Sequence, residues 1–317
     1  MKKVAIVTIA LLAMLTFACT RASHTLAFRP DGTFKILQLT DLHLQLFRPD
    51  QVADVFARMD SLVSWENPDL ITVTGDLVYS TPADSIMQPI IDRLDSYERP
   101  WVIVYGNHDH EHGLTLPELS RLVIRGKHTL NTLAPSGVLA DMEMPVTSSR
   151  TRSGISAYLY FLDSHAYADT SFFSYAWFDP EQVEWVRKTA GKHPGTPSIA
   201  FFHIPLCEYA DTTNHYGTFG EPVCCGKKNT GMFDAMKETG VIATFCGHDH
   251  DNDYVVEHEG VLLAYGRYSG SNGEYNHLPK GARIILLHSD GALDTWIRES
   301  DGSIVQNYSY LAGKTAR

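Results

Sequence analysis

Five apolar segments of this sequence end alike, because each runs into Asp, Asn or His at its carboxyl end. The five endings are Asp41-Leu42-His43, Gly75-Asp76, Gly106-Asn107-His108-Asp109, His203 and Gly247-His248-Asp249-His250. Polar side chains at the tip of a buried strand cost free energy unless a ligand or a hydrogen bond uses them. The set contains no cluster of cysteines, so it favours Zn, Fe or Mn over a sulfur-ligated structural site.

The segments around the first three endings indicate how these polar residues come together. Apolar runs typical of strands alternate with stretches that carry apolar residues at helical spacing. In chain order the predicted elements are strand 34–40, helix 50–65, strand 70–74, helix 83–97, strand 101–105 and a shorter helix 116–125. This alternation predicts a parallel sheet, and open α/β sheets bind their ligands at the carboxyl edge. We therefore expect one site at that edge.

The second half of the chain adds antiparallel pairs to this pattern. Its predicted elements are strands 156–163, 198–202 and 241–246, helix 179–190, and two hairpins, 253–258 with 261–265 and 283–287 with 292–297. Parallel units followed by hairpins predict an α/β fold of two packed mixed sheets with helices outside. The sequence contains no Pro/Ser-rich linker or repeat, and we interpret residues 30–310 as a single domain.

The five polar endings, in this order, resemble the motifs of the calcineurin-like metallophosphoesterases, and the match runs from about Phe34 to Arg267. Two flanking segments are similar to the purple-acid-phosphatase-related phosphohydrolases: Phe201-Phe202-His203-Ile204-Pro205-Leu206 and Tyr265-Gly266-Arg267. The resemblance implies a four-layer α/β/β/α sandwich, two mixed sheets flanked by helices.

The same resemblance implies a centre of two metal ions, divalent or mixed-valence, with Fe, Mn and Zn as candidates. Asp76 would bridge the two ions. The other ligands would divide into Asp41, His43 and His250 for one ion and Asn107, His203 and His248 for the other. A hydroxide bound to the metals would then attack the phosphate ester, because a cation lowers the pKa of water towards neutrality.

Three residues beside these ligands receive other predicted roles. His108 could donate a proton to the leaving group or stabilise the charged phosphoryl oxygens. Asp109 is the predicted partner that orients the His108 ring. Arg267 either contacts the substrate phosphate, which a guanidinium pairs with bidentately, or forms a structural ion pair.

Tyr79 is the position where the chain departs from a clean family pattern. The run Gly75-Asp76-Leu77-Val78-Tyr79 resembles the purple acid phosphatase block in which the tyrosine binds ferric iron and gives the colour. Those enzymes lack the histidine of the first block, which this chain has at His43. A phenolate ligand also requires loss of a proton from a pKa near 10. We expect His43 to be the ligand, Tyr79 to pack beside the site, and the enzyme to be colourless.

The amino terminus predicts export. A basic start and an apolar run are typical of a secretory signal over residues 1–18, cleaved either as an ordinary signal or before a lipidated Cys19. The chain would then be periplasmic, an outer-membrane lipoprotein or secreted, and would contact membrane only through Cys19. Removing Lys2 and Lys3 changes the formal charge from −11 to −13, which disfavours binding to nucleic-acid backbones.

An irregular segment from Cys207 to Thr230 follows His203, and its composition predicts a functional loop at the substrate side of the site. Export permits a disulfide from Cys207 to either Cys224 or Cys225, and the sequence does not choose between these partners or exclude three reduced thiols.

We expect from these features a metal-dependent phosphohydrolase acting on a phosphorylated small molecule, preferentially a phosphomonoester. Two alternatives stay open. One is a phosphodiesterase acting on nucleotides or lipid head groups, and the other is a non-catalytic binding scaffold of the same fold.

Overall fold

A computed structural model describes residues 22–149, 154–168, 174–272 and 274–311 of the chain. The predicted signal segment 1–18 and Cys19 lie outside the described residues. Within them, every helix is too short or too polar to cross a lipid bilayer.

The described residues form twelve strands and five α-helices. The strands are β1 (Thr33–Leu39), β2 (Leu70–Thr74), β3 (Trp101–Val104), β4 (Met142–Thr147), β5 (Ile155–Phe161), β6 (Ser198–Phe201), β7 (Val241–Cys246), β8 (Val255–His258), β9 (Val261–Tyr265), β10 (Gly281–His288), β11 (Ala292–Glu299) and β12 (Ile304–Leu311). The helices are α1 (Pro49–Glu66), α2 (Asp84–Ser96), α3 (Leu116–Val123), α4 (Pro180–Ala190) and α5 (Met232–Glu238).

The strands form two six-stranded sheets, and both sheets are mixed. The first has the order β12-β11-β10-β1-β2-β3, with β1, β2 and β3 parallel and the last three strands of the chain antiparallel. The second has the order β4-β5-β6-β7-β9-β8, with β5, β6, β7 and β9 parallel and the edge strands β4 and β8 antiparallel to their neighbours. The two predicted hairpins are confirmed as β8–β9 and β10–β11.

The packing of apolar side chains divides the molecule into four layers. One core lies between the two sheets and includes Ile36 and Ile285 from the first and Phe201 and Phe245 from the second. A second core joins the outer face of the first sheet to α1, α2 and α3. A third joins the outer face of the second sheet to α4 and α5. The predicted α/β/β/α sandwich is therefore confirmed.

Local sequence accounts for where the helices lie. In α1, Val55, Met59 and Leu62 recur at helical spacing and are fully buried. The helix ends where Asn67 adopts a left-handed conformation with φ of 44°. Helix α3 begins with a capping box in which Thr115 and Glu118 satisfy the first free N–H groups.

Three elements were missed by the sequence-based prediction. Strand β4 has the sequence MEMPVT, and its Pro145 is tolerated because β4 lies at the edge of the sheet. Helix α5 has only 7 residues, too few for a helical periodicity to be visible. Strand β12 pairs with β11 in a register that is interrupted by a β-bulge between Thr295 and Ile297 of β11.

Candidate metal centre

The backbone at the strand ends is bent sharply where the predicted ligands occur. Asp41, His43, Asp76 and His248 all have positive φ angles, of 54°, 43°, 52° and 79°. Such angles are uncommon for residues other than glycine and concentrate at functional sites, where surrounding structure imposes them. Gly75 precedes Asp76 with φ of 88°, and a Cβ there would lie 2.3 Å from His203 Nδ1. The two sheets can therefore approach each other at this point only without a side chain at residue 75.

One group of side chains that could hold a cation consists of Asp41, His43 and His250, whose candidate ligand atoms lie within 4.8 Å of one another. His43 Nε2 is 3.9 Å from Asp41 Oδ1, and His250 Nε2 is 3.6 Å from the same oxygen. All three side chains are buried.

The second group consists of Asp76, His203 and His248, again within 4.8 Å. Asp76 Oδ2 is 3.2 Å from His203 Nε2 in its own group and 3.5 Å from His43 Nε2 in the first group. Asn107 Oδ1 lies 3.2 Å from His203 Nε2. The structure thus brings together all seven residues predicted as metal ligands, and Asp76 lies between the two groups.

Hydrogen bonds fix the ring orientation of two of the histidines. His203 Nδ1 is 2.8 Å from the Thr74 carbonyl oxygen and donates to it. His250 Nδ1 donates in the same way to the Tyr275 carbonyl oxygen, at 2.8 Å. In both rings Nε2 then faces the carboxylates, which is the tautomer and orientation that metal-binding histidines adopt.

The buried carboxylates of the cluster favour positive charge beside them. Burial disfavours ionisation of Asp76, but His203 and His108 hold the pKa of that carboxyl well below its ordinary value. Burial likewise disfavours a charged His203, yet Asp76 and Asp41 raise its pKa to about 10. Two buried carboxylates therefore draw positive charge into this space.

His43 and His248 provide the direct test of whether a metal fits. Burial lowers the pKa of each ring to about 3, so both are neutral. Both ring nitrogens of His43 and Nε2 of His248 are buried without a hydrogen-bond partner. A buried polar atom without a partner is costly, whereas neutral imidazole nitrogen is a preferred ligand of Zn, Fe and related ions. The residues present therefore fit two metal ions.

His108 lies beside the cluster, as predicted, but a different residue orients it. Its ring is 5.4 Å from the ring of His43, and its Nδ1 is 2.7 Å from Glu111 Oε2. The prediction that Asp109 orients His108 is wrong. Asp109 is fully buried, and its carboxylate accepts four backbone N–H groups, which belong to Asp76, Leu77, Val78 and Gly106. Asp109 therefore ties the second and third polar segments together.

The prediction that Arg267 contacts substrate is also wrong. Arg267 is buried, and its guanidinium donates to the Pro279 carbonyl at 2.6 Å, to Glu299 Oε1 at 2.9 Å and to the Asp253 carboxylate. The alternative of a structural ion pair is the one that the structure supports.

Five tyrosines contact the predicted ligands. The buried Tyr268 packs against His250 at 4.6 Å between ring centres, and four others each contact a different ligand. Tyr79 meets the edge of His43 at 5.2 Å between ring centres, and Tyr175 meets His248 at 4.3 Å. Tyr275 stacks on His250 at 4.5 Å, and the Tyr167 hydroxyl accepts from Asn107 Nδ2 at 2.9 Å. Tyr79 packs beside His43 as expected. We call Tyr79, Tyr167, Tyr175 and Tyr275 the tyrosine rim.

Sequence reasoning missed three members of the tyrosine rim, as well as Glu111. Tyr167 and Tyr175 stack on each other at 5.8 Å, and the only hint of them in the sequence is the aromatic content of residues 167–178.

The loop after His203 reaches the site through its far end. Cys207 is disulfide-bonded to Cys225, which resolves the choice that the sequence left open. Glu221 of this loop accepts a hydrogen bond from the Tyr275 hydroxyl at 2.9 Å. The Cys224 N–H donates to Asp249 Oδ2 at 3.2 Å. The loop therefore lies against the tyrosine rim.

Comparison with known proteins agrees with this geometry. The family model for calcineurin-like phosphoesterases matches residues 34–252. The protein named "Probable cyclic nucleotide phosphodiesterase" of Moraxella catarrhalis is 36% identical over 298 residues, which cover 87% of this chain and 94% of that protein. "Probable inactive purple acid phosphatase 28" of Arabidopsis thaliana is 29% identical over 86% of this chain and 79% of its own length. "Phosphatase DCR2" of Saccharomyces cerevisiae is 27% identical over 74% of this chain and 48% of its own length.

Proposed function

Because this chain belongs to the calcineurin-like phosphoesterase family, we propose that it is a metal-dependent hydrolase of phosphomonoesters. In this reaction water adds to phosphorus, the bond between phosphorus and the alcohol oxygen breaks, and a proton is delivered to the departing alcohol. The observation that carries the proposal is the set of buried, unpartnered nitrogens of His43 and His248 beside two buried carboxylates.

Two groups of residues would hold the metals. Asp41, His43 and His250 would hold one ion, and Asn107, His203 and His248 the other, with Asp76 shared between them. Two divalent cations at such a site supply a Lewis acid for the phosphoryl oxygens and a lowered pKa for water. The ligand chemistry suits Fe, Mn or Zn.

His108 is the proton donor in this proposal. Burial alone would lower its pKa, but the charges of Asp76 and Glu111 outweigh burial and raise the pKa above its ordinary value. A raised pKa favours the protonated ring, which is the form that a general acid requires. Glu111 accepts from Nδ1 and thereby leaves Nε2 to donate towards the leaving group.

A phosphodiesterase is the second candidate function. It is favoured by the extent of the match to the relative named as a probable cyclic nucleotide phosphodiesterase, 94% of whose length is covered. A non-catalytic scaffold is the third, since some relatives are named probable inactive purple acid phosphatases. The complete set of ligand residues in this chain argues against the scaffold.

One experiment separates the three functions. The purified protein is analysed for bound metal and assayed with p-nitrophenyl phosphate and bis(p-nitrophenyl) phosphate before and after removal of the metals by a chelator. Faster chelator-sensitive hydrolysis of the monoester supports the proposal, and faster hydrolysis of the diester supports the phosphodiesterase. Bound metal without turnover on any ester supports the scaffold, and a protein that binds no metal contradicts the assignment of the metal ligands on which both hydrolase functions rest.

Export is part of the same proposal and is tested separately. Expression of the full chain in a bacterial host, followed by fractionation and mass spectrometry of the amino terminus, distinguishes ordinary cleavage from lipidation at Cys19. An uncleaved chain that stays inside the cell would contradict export.

A further inference from the structure

Three tyrosines of the tyrosine rim each have a glutamate carboxylate beside them. Glu221 accepts the Tyr275 hydroxyl at 2.9 Å. Burial and the nearby Glu274 carboxylate raise the pKa of Tyr79. The third, Glu111, is the partner of His108 and contributes, after burial, to a raised pKa of Tyr167. Glu111 shares its charge with His108, so the carboxylates that remain beside the rim are Glu221 at Tyr275 and Glu274 near Tyr79.

Several basic side chains of the described structure have partners other than a substrate. Arg267 and Arg283 are buried and both bond Asp253, through its carboxylate and its carbonyl oxygen. Lys228 lies over the ring of Trp177, 4.2 Å from the ring centre. Arg58 donates to the carbonyl oxygens of Ser269 and Gly270. Lys280 lies 5.8 Å from the ring centre of Tyr268 and bonds Asn272. Each of these five basic side chains therefore already has a polar or aromatic partner.

We propose that the site takes phosphate esters of alcohols that carry an ammonium group, and that the tyrosine rim and its carboxylates hold the ammonium. This inference rests on the proposed function and deepens it by naming the substrate class. The inference concerns the tyrosine rim, which would contact the alcohol part of the substrate, and does not change the assignment of the metal ligands.

The physical argument is the attraction between an ammonium group and the tyrosine rings and carboxylates beside it. The faces of tyrosine rings attract a cation, most strongly where water is excluded, and carboxylates add to this attraction. Phosphate and ammonium are only a few bonds apart in an amino-alcohol phosphate. A phosphate at the metal ligands therefore places the ammonium among Tyr79, Tyr275 and their carboxylates. The exposed side chain of Tyr275, 47% accessible, leaves a ring surface free for this contact.

The same features disfavour the obvious competitor. A nucleotide base would gain from stacking on the rings, but a neutral base would not be attracted by the charges of Glu221 and Glu274. Any additional phosphate of a nucleoside polyphosphate would meet these carboxylates and be repelled. A preference for nucleotides is therefore an outcome that contradicts the inference.

The first experiment compares two substrates that differ only in charge. Phosphocholine and 3,3-dimethylbutyl phosphate have the same shape, and only the first carries a cation. We expect kcat/KM for phosphocholine to exceed that for the neutral ester by roughly tenfold. Phosphatidylcholine vesicles and p-nitrophenyl phosphocholine, assayed alongside, show whether a head group in a diester is accepted as well as the free monoester. A ratio of one or less, or faster turnover of adenosine monophosphate, overturns the inference.

The second experiment assigns the preference to its residues. Glu221→Gln combined with Glu274→Gln keeps the shapes and removes two charges, and Tyr275→Leu removes a ring while keeping the carbonyl that orients His250. Each should reduce the ratio of the two kcat/KM values severalfold, whatever happens to the absolute rates. Glu181→Gln is the matched control, because it removes one exposed carboxylate from α4. Equal ratios in all variants would contradict the inference.

A binding measurement keeps the inference separate from the proposed function. Choline and 3,3-dimethylbutanol are tested as ligands of the metal-loaded protein by ligand-observed NMR. Binding of choline alone, lost in the Glu221→Gln, Glu274→Gln variant, supports the inference even if no phosphate ester is hydrolysed. Hydrolysis of phosphate esters without selective binding of choline leaves the proposed function standing and removes the inference.

Discussion

The metal-ligand residues and the tyrosine rim occupy one site but are held in different ways. The ligands lie at the carboxyl ends of strands from both sheets, are buried, and are oriented by backbone hydrogen bonds such as that of His203 to Thr74. The rim tyrosines lie on irregular segments, and side chains such as Glu221 hold them. In the proposed function, the buried ligands would hold the metals and the tyrosine rim would contact the alcohol. Substitutions of the metal ligands should abolish turnover, and substitutions in the tyrosine rim should change which substrate is preferred.

The largest expected effect comes from Asp76→Asn. Its carboxylate lies between the two groups, and an amide would leave two cations without the shared negative charge. We expect loss of one or both metals in elemental analysis and of essentially all turnover.

The matched control is Asp249→Asn, a buried aspartate between His248 and His250 that accepts a hydrogen bond from Tyr265. Burial raises the pKa of Asp249 to about 7, so an amide resembles its protonated form, and both metals should remain. Full metal content in Asp76→Asn would contradict the shared position of that carboxylate.

His108→Ala tests a residue between the two regions. It should retain both metals while kcat falls by roughly 10²–10⁴ if the ring transfers a proton. The loss should be smaller for p-nitrophenyl phosphate, whose leaving group needs no proton. An equal loss for every leaving group would favour stabilisation of the phosphoryl oxygens instead.

Glu111→Gln sharpens this prediction through pH. The Glu111 charge helps to raise the pKa of His108, so its removal should lower that pKa. A general acid is active below its pKa, and the alkaline fall of kcat should therefore move to lower pH in the variant. If the pH dependence of kcat is unchanged in the variant, His108 is not the group whose deprotonation causes the alkaline fall.

The contrast between the two regions also explains what the sequence could predict. Each ligand block is a local signal, an apolar run that ends in Asp, Asn or His, and alternating strands and helices bring such ends to one edge. The family resemblance, the four layers and the position of Tyr79 beside His43 could all be predicted on this basis.

Residues whose partners are set by tertiary structure could not be predicted in the same way. Asp109 follows His108 directly, which suggested contact, yet the tight turn brings Glu111 to the ring and directs Asp109 to four backbone N–H groups. Arg267 lies next to the last ligand strand, but Asp253 and Glu299 bind its guanidinium. Tyr167 and Tyr275 are distant in sequence, and only the fold places one against Asn107 and the other against His250.

A smaller effect is expected from removing the disulfide that fixes the loop against the tyrosine rim. Cys207→Ser with Cys225→Ser opens a link of sequence separation 18, which should lower the free energy of unfolding by about 3 kcal/mol. Metal content should stay unchanged, while KM rises because Glu221 is less well placed.

Calorimetric unfolding and steady-state kinetics check both parts of this prediction. Cys224→Ser changes a free thiol of the same loop and serves as the comparison. Loss of metal in the double variant would show that the loop supports the ligands and that the two regions are not separable.

The smallest effect is expected from Tyr79→Phe, where the two regions touch. His43 lies within one candidate metal group, and its two ring nitrogens have no other partner. The Tyr79 hydroxyl is instead made harder to ionise by burial and by Glu274. The phenylalanine variant should keep both ions, stay as colourless as the parent protein and retain activity within about threefold, since only one hydroxyl contact is lost. A visible charge-transfer band that disappears in Tyr79→Phe would make Tyr79 a ligand and move the boundary between the two regions.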